Sequence, residues 1–85
     1  MHQITFKQSA NKELQQIPKV AIGKIVVAIE SLEIEPQPIG VKKLKGSNEE
    51  LYRIRVGDYR IIYAINDTIK IVNIRKIGHR KDIYK

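Results

Sequence analysis

Residues 51–63, LYRIRVGDYRIIY, constrain the fold more than any other stretch of the chain. Tyr52, Ile54 and Val56 alternate with Arg53 and Arg55, and Gly57-Asp58 supplies a tight turn before Tyr59. Side chains on a strand point to opposite faces with period two, so one face takes the apolar set and the other takes both arginines. Arg60 follows just past the turn, again between apolar residues. One reading is that these arginines simply keep one sheet face wet. Three on one hairpin also present planar forks of donors that suit phosphate.

Charge placement separates these two readings better than total charge does. Residues 1–41 balance four lysines against four glutamates, whereas residues 42–85 hold twelve Lys and Arg against five acids. The whole net charge of +7 therefore lies in the second half. Such a footprint fits a polyanion, either nucleic acid or an acidic protein. An anionic membrane fits less well, because these cations sit on strand patterns and not on an amphipathic helix.

At 85 residues the chain is expected to form a single domain, 1–85, with one core. It has no cysteine, so neither a disulfide framework nor thiolate chemistry is open to it. Met1 to Lys7 lacks the apolar core of a signal peptide, and no run approaches the roughly 18 apolar residues of a membrane span. A soluble, cytoplasmic protein with no membrane partner is the expectation.

Taken in order, Gln3 to Lys7 alternates Ile4 and Phe6 with polar residues and predicts a first strand. Ser9 is the expected N-cap of a helix running to about Ile17, with Ala10, Leu14 and Ile17 on one face. Pro18 ends that helix and suits the first turn of the next. Residues 19 to about 33 carry Ile22, Ile25, Val26, Ile29 and Leu32 at helical spacing, a core-packing stripe. Glu35 to Gly40 (EPQPIG) is a crossover loop rich in breakers. After the hairpin, an Asn66-Asp67 turn leads into a strand from Thr68 to Ile77, apolar on both sides over part of its length and hence suited to cover on both faces. The fold class is α+β in the order β-α-α-β-β-β: a helical hairpin on a four-stranded, mostly antiparallel sheet. The first strand can pair in parallel with a later one, and the chain closes in a short tail or helical turn.

Few kinds of chemistry survive this inventory. Two histidines, no cysteine and no carboxylates at ligand spacing argue against a metal site, and no Gly-rich phosphate loop supports a nucleotide cofactor. No cofactor is expected. What remains is Arg53, Arg55, Arg60, Arg75, Arg80, His79, Tyr84 and the lysines. That set suits metal-free cleavage of RNA by its own 2′-hydroxyl, which needs cations around a doubly charged phosphorane, a proton acceptor and an acid for the leaving oxygen. His79 has the side chain for acid or base work, and Tyr84 could stack on a base or donate its proton. A solvated tail is the bland alternative for both.

The segment LKGSNEELYRIRVGDYRIIYAI, followed by IKIVNIRKIGHRKDIY, resembles the RelE branch of the RelE/ParE toxin superfamily. The resemblance covers most of the chain, and the order of its pieces is more specific than any one of them. It implies a toxin of a type II toxin–antitoxin system: an mRNA interferase, that is, an endoribonuclease that depends on the ribosome and cuts mRNA in the A site by 2′-hydroxyl attack, so inhibiting translation. It also implies a RelB-like antitoxin as partner. By the same resemblance Arg53 and Arg55 contact the scissile phosphate, Arg60 stabilises its transition state, Arg80 is a second phosphate ligand or assists the leaving group, and Tyr84 orients the base. Lys42, Lys43 and Lys45, with Arg75, Lys76 and Lys81, would hold mRNA or ribosomal RNA by charge.

This chain departs from some members of the family in carrying arginine where they carry lysine, a residue viewed as the general base. Arginine is effectively never neutral, so the base falls to His79 first, Tyr84 second, or to no side chain at all. Two further readings remain: a ParE-like inhibitor of DNA gyrase without nuclease activity, and a catalytically dead module whose basic face meets only its antitoxin. Since neither Arg60 nor Arg80 belongs to the apolar set, alanine at either position is expected to leave the fold intact.

Overall fold

A computed structural model describes residues 1–44 and 50–83 of the chain. The order is β1 (Gln3–Phe6), α1 (Gln8–Gln15), α2 (Lys19–Ser31), β2 (Lys42–Leu44), β3 (Leu51–Val56), β4 (Tyr59–Asn66), β5 (Ile71–His79) and α3 (Arg80–Ile83). The strands form one five-stranded sheet in the order β1-β5-β4-β3-β2. β1 runs parallel to β5, and every other pairing is antiparallel. The α+β class, the helical hairpin, the meander and the parallel first strand are as the sequence predicts. The fifth strand, β2, is the difference. Its three residues, KKL, show no alternation and are mostly exposed, so nothing but their pairing with β3 marks them as a strand.

The helices α1 and α2 lie on one face of the sheet. Ala10 of α1 and Ile25, Ile29 and Leu32 of the α2 region pack with Tyr52, Ile54, Ile61, Tyr63, Val72, Ile74 and Ile77. α1 starts earlier than Ser9 predicts: Lys7 is its N-cap residue, with no side-chain cap. Packing through Ala10 holds the helix where capping does not. Pro18 sits at the N-cap of α2, a place where its missing N–H costs nothing.

β5 also differs from expectation. Asp67 to Lys70 make a four-residue turn in which Asn66 Oδ1 accepts from the amides of Thr68 (3.0 Å) and Ile69 (3.2 Å) and Lys70 takes a left-handed φ of 57°. The strand therefore begins at Ile71, and Ile69 stands 60% exposed in the turn. Ile62 pairs with Lys76 but Tyr63 pairs with Ile74, so Arg75 is an extra residue in a β-bulge. The bulge inverts the alternation: Val72 and Ile74 share the buried face with Ile77. With Ile69 in the turn and Ile77 returned to the buried face, Ile71 is the apolar side chain that β5 leaves on the open face. Beyond the end of β1, Glu13 of α1 accepts from the Ile77 amide (3.1 Å) and closes that edge.

A candidate phosphate-binding face

Strand register sets the cations in two rows on the sheet face turned away from α1 and α2. The first row runs Lys42–Arg53–Ile62–Lys76 across four strands, and the second runs Arg55–Arg60–Gly78. Neither row contains an acid. Like charges directly opposite one another on a sheet are destabilising, and both Lys42–Arg53 and Arg55–Arg60 are such pairs. A face built this way gains from a bound anion.

The arginines are not equivalent. Arg53 and Arg60 are each only 8% exposed, whereas Arg55 is exposed. The Arg60 side chain folds back on the hairpin turn, its Nη1 donating to the carbonyls of Gly57 and Tyr59, both at 2.9 Å. Its Nε is buried and has no partner among the described residues. A guanidinium held at one nitrogen and desolvated at another is a preorganised donor to an anion above it. The same hydrogen bonds make Arg60 part of the structure, which corrects the expectation that its removal would leave the fold untouched.

Arg80 stands beside the same turn. Its amide donates to the Asp58 carbonyl (2.8 Å), and its exposed Nε lies 3.8 Å from Asp58 Oδ1, a solvated pair of little strength. α3 then crosses to the open face, where an added Cβ on Gly78 would meet Ile83 Cγ1 at 3.3 Å. Gly78 thus lets the last helical turn lie close against the second row.

His79 is placed elsewhere. It pairs with Tyr59 on the helix-covered face, its ring edge-on to the Tyr59 ring at 5.6 Å, and it borders a hollow with Val20 and Lys24. Its Nδ1 accepts from the Lys81 amide (3.2 Å), so the neutral ring carries its proton on Nε2. The lone pair a general base would use is committed to starting α3. Lys43 also leaves the rows, pairing opposite Tyr52 and lying 3.4 Å from Glu50. Arg75 is tied at the bulge to Asn73 Oδ1 (2.6 Å), and Lys81 is exposed on α3. Lys45 and Tyr84 lie outside the described residues.

The site residues that the structure brings together are therefore Lys42, Arg53, Arg55, Arg60 and Lys76, with Arg80 at their margin. The sequence marks Glu35 to Gly40 only as a crossover loop and gives Gly78 no site role; the structure sets Pro38–Val41 beside Arg53 and Arg55. The Pro-x-Pro-x-Gly spacing of that loop was the available signal. Among the described residues no group of three His, Asp or Glu could hold a metal ion, and no helix is long and apolar enough to cross a membrane.

Comparison with known proteins agrees with this architecture. Residues 4–84 match the family model of the ParE toxin of the type II toxin–antitoxin system parDE. A protein of Methanocaldococcus jannaschii named RelE1 is 38% identical over 77 residues, covering 87% of this chain and 84% of its own. The toxin RelG of Mycobacterium tuberculosis is 31% identical over 83 residues, covering 96% and 94%. The archaeal RelE–RelB complex of Pyrococcus horikoshii superposes with a TM-score of 0.82 at 34% identity, covering 95% of this chain and 97% of that one.

Proposed function

Because this chain belongs to the ParE/RelE family of type II toxin–antitoxin toxins, we propose that it is a ribosome-dependent endoribonuclease that cuts mRNA in the ribosomal A site. The observation that carries this reading is the pair of cationic rows, with Arg55 directly opposite Arg60. A nuclease needs several guanidiniums converging on one phosphate, and a protein that only docks on another protein does not. The names of the relatives also favour the RelE reading over gyrase inhibition.

In this mechanism the phosphate between two nucleotides lies over the second row. Arg60, fixed by the Gly57 and Tyr59 carbonyls, donates its remaining N–H groups to a non-bridging oxygen. Arg55 closes from the exposed side, and Arg53 steadies the adjoining backbone. The 2′-oxygen attacks phosphorus, the P–O5′ bond breaks, and a 2′,3′-cyclic phosphate and a 5′-hydroxyl result. Charge builds on the phosphorane, and the guanidiniums stabilise it more than they stabilise the ground state. Arg80 serves the departing 5′-oxygen, while Lys42 and Lys76 follow the chain as point charges. His79 stands on the other face and arginine does not give up its proton, so the 2′-proton passes to Tyr84, to solvent or to the ribosome, and the departing 5′-oxygen takes its proton from solvent.

The protein would act in the cytoplasm and be restrained by a RelB-like antitoxin, since related toxins are found in RelE–RelB complexes. The antitoxin segment over the two rows should be acidic and partly helical. The test is cleavage of a defined mRNA by purified protein, with and without ribosomes programmed so that a codon occupies an A site empty of tRNA. A cut only with ribosomes, ending in a cyclic or 3′-phosphate, supports the proposal. Intact mRNA from folded protein in both cases overturns it.

A further inference from the structure

A cleft of about 650 Å³ opens at the edge of the sheet, and Arg53 and Arg55 form one of its walls together with Lys42. The rest of the lining is mostly apolar: Ala28 of α2, Pro38, Ile39 and Val41 of the crossover loop, and Ile54, with the Ser31 hydroxyl beside them turned onto the Ala28 carbonyl (2.6 Å). β2 accounts for the gap. Its pairing with β3 begins at Lys42 opposite Arg53, so the outer edge of β3 from Ile54 to Val56 has no strand beside it.

The loop over this gap is braced in place. Tyr63 Oη donates to the Pro36 carbonyl (2.7 Å), the Gln37 amide to Glu35 Oε1 (3.2 Å), and the Val41 amide to the Pro38 carbonyl (3.0 Å). Gly40 turns the chain at a φ of +90°, and prolines at 36 and 38 narrow the alternatives further. Ile39 is held fully exposed at its tip, 107% of the reference area. An isoleucine fixed in solvent beside a cationic wall is apolar surface awaiting an amphiphilic anion.

We infer that this cleft is a nucleotide subsite. It receives the base of a residue flanking the phosphate bound over the two rows, and so contributes to which codon is cut. This rests on the ribonuclease reading proposed above. Arg53 and Arg55 belong at once to the phosphate rows and to the cleft wall, so an RNA strand held by the first is delivered to the second. The volume accepts one nucleotide, and pockets of this size bind small ligands through an apolar lining with a few placed polar groups. No acid lines the cleft among the described residues, as a phosphodiester requires.

The experiment is a methyl NMR titration of the full chain with a trinucleotide made uncleavable by 2′-deoxy substitution, with the same trinucleotide abasic at its centre, and with an acidic peptide. The trinucleotide should shift the methyls of Ile39, Val41 and Ile54. The abasic probe should bind about tenfold more weakly and leave those methyls in place. Ile39→Ser, which removes apolar surface without adding charge at a position with no packing to lose, should weaken the trinucleotide about tenfold while the abasic probe binds as it does to the wild type. Equal binding of the abasic probe, shifts that avoid the cleft, or shifts produced by the peptide alone would each overturn the subsite. Because the probe cannot be cut, the result is independent of cleavage. Base-dependent binding without ribosomal cleavage would sink only the nuclease reading, and cleavage without base-dependent binding only the subsite.

Discussion

Arg55 and Arg60 face each other as direct cross-strand partners, one exposed and one buried, with both cations on the open side of the hairpin. Their difference in burial separates function from stability. Removing Arg55 relieves a repulsion, so Arg55→Ala should raise stability by about 0.2–1 kcal/mol while lowering cleavage. Removing Arg60 strips two carbonyls of their donor, so Arg60→Ala should lower stability by about 1–2 kcal/mol and lower cleavage by orders of magnitude. Urea unfolding of the two variants beside the ribosome assay checks this. Equal stability losses would mean that burial does not distinguish the pair.

The repulsion within the rows also predicts a response to anions. Sulfate or phosphate should raise the melting temperature more than chloride does at equal ionic strength, because a site-bound anion adds to general screening. One bound anion at ten times its dissociation constant is worth about 1.4 kcal/mol. The excess over chloride should vanish in an Arg55→Ala/Arg60→Ala double variant that still folds. An excess that persists there would locate the anion elsewhere.

The hairpin was legible because its alternation, turn and charges agree at every level, and the helices because Ile25, Ile29 and Leu32 repeat at helical spacing. What escaped the sequence had no local signal. β2 exists only through its pairing with β3, and the bulge at Arg75 is a matter of register between two strands. The bulge comes before Ile77, so it also decides which face His79 takes. Counting alternation along β5 without it would move His79 to the face of the arginines. The burial of Arg53 and Arg60 follows from tertiary cover that no strand pattern records.

The geometry of His79 leads to a prediction about pH. With its lone pair on the Lys81 amide and its ring on the helix side, His79 starts α3 and is expected to take no proton from substrate. Asparagine can accept the same hydrogen bond, so His79→Asn should keep cleavage within about threefold of wild type. His79→Ala should lose the cap, worth about 1 kcal/mol, and loosen α3. Neither variant should remove an ascending limb from the pH–rate profile in the range where imidazoles titrate. A hundredfold loss in His79→Asn, together with loss of such a limb, would restore His79 as the base.

Tyr63 predicts alkaline sensitivity. Its side chain is fully buried, with its hydroxyl on the Pro36 carbonyl and its ring stacked on that of Tyr52 at 5.9 Å. Burial first, and then the nearby Tyr52 and Glu35, push its ionisation well above the ordinary tyrosine value of 10.0. The folded state thus holds this proton more tightly than the unfolded state does. The stability it confers is complete below about pH 10, where the unfolded phenol is still protonated, and it declines as pH rises from there toward the raised value. Between those limits one retained proton gives a slope approaching about 1.4 kcal/mol per pH unit. Tyr63→Phe should be less stable near neutrality by about 1 kcal/mol for the lost hydrogen bond, yet flatter above pH 10. Urea unfolding of both proteins at pH 8 and pH 10.5 measures the difference, in which the other tyrosines and the lysines largely cancel. Parallel losses in the two would show that Tyr63 is not the group whose burial resists ionisation.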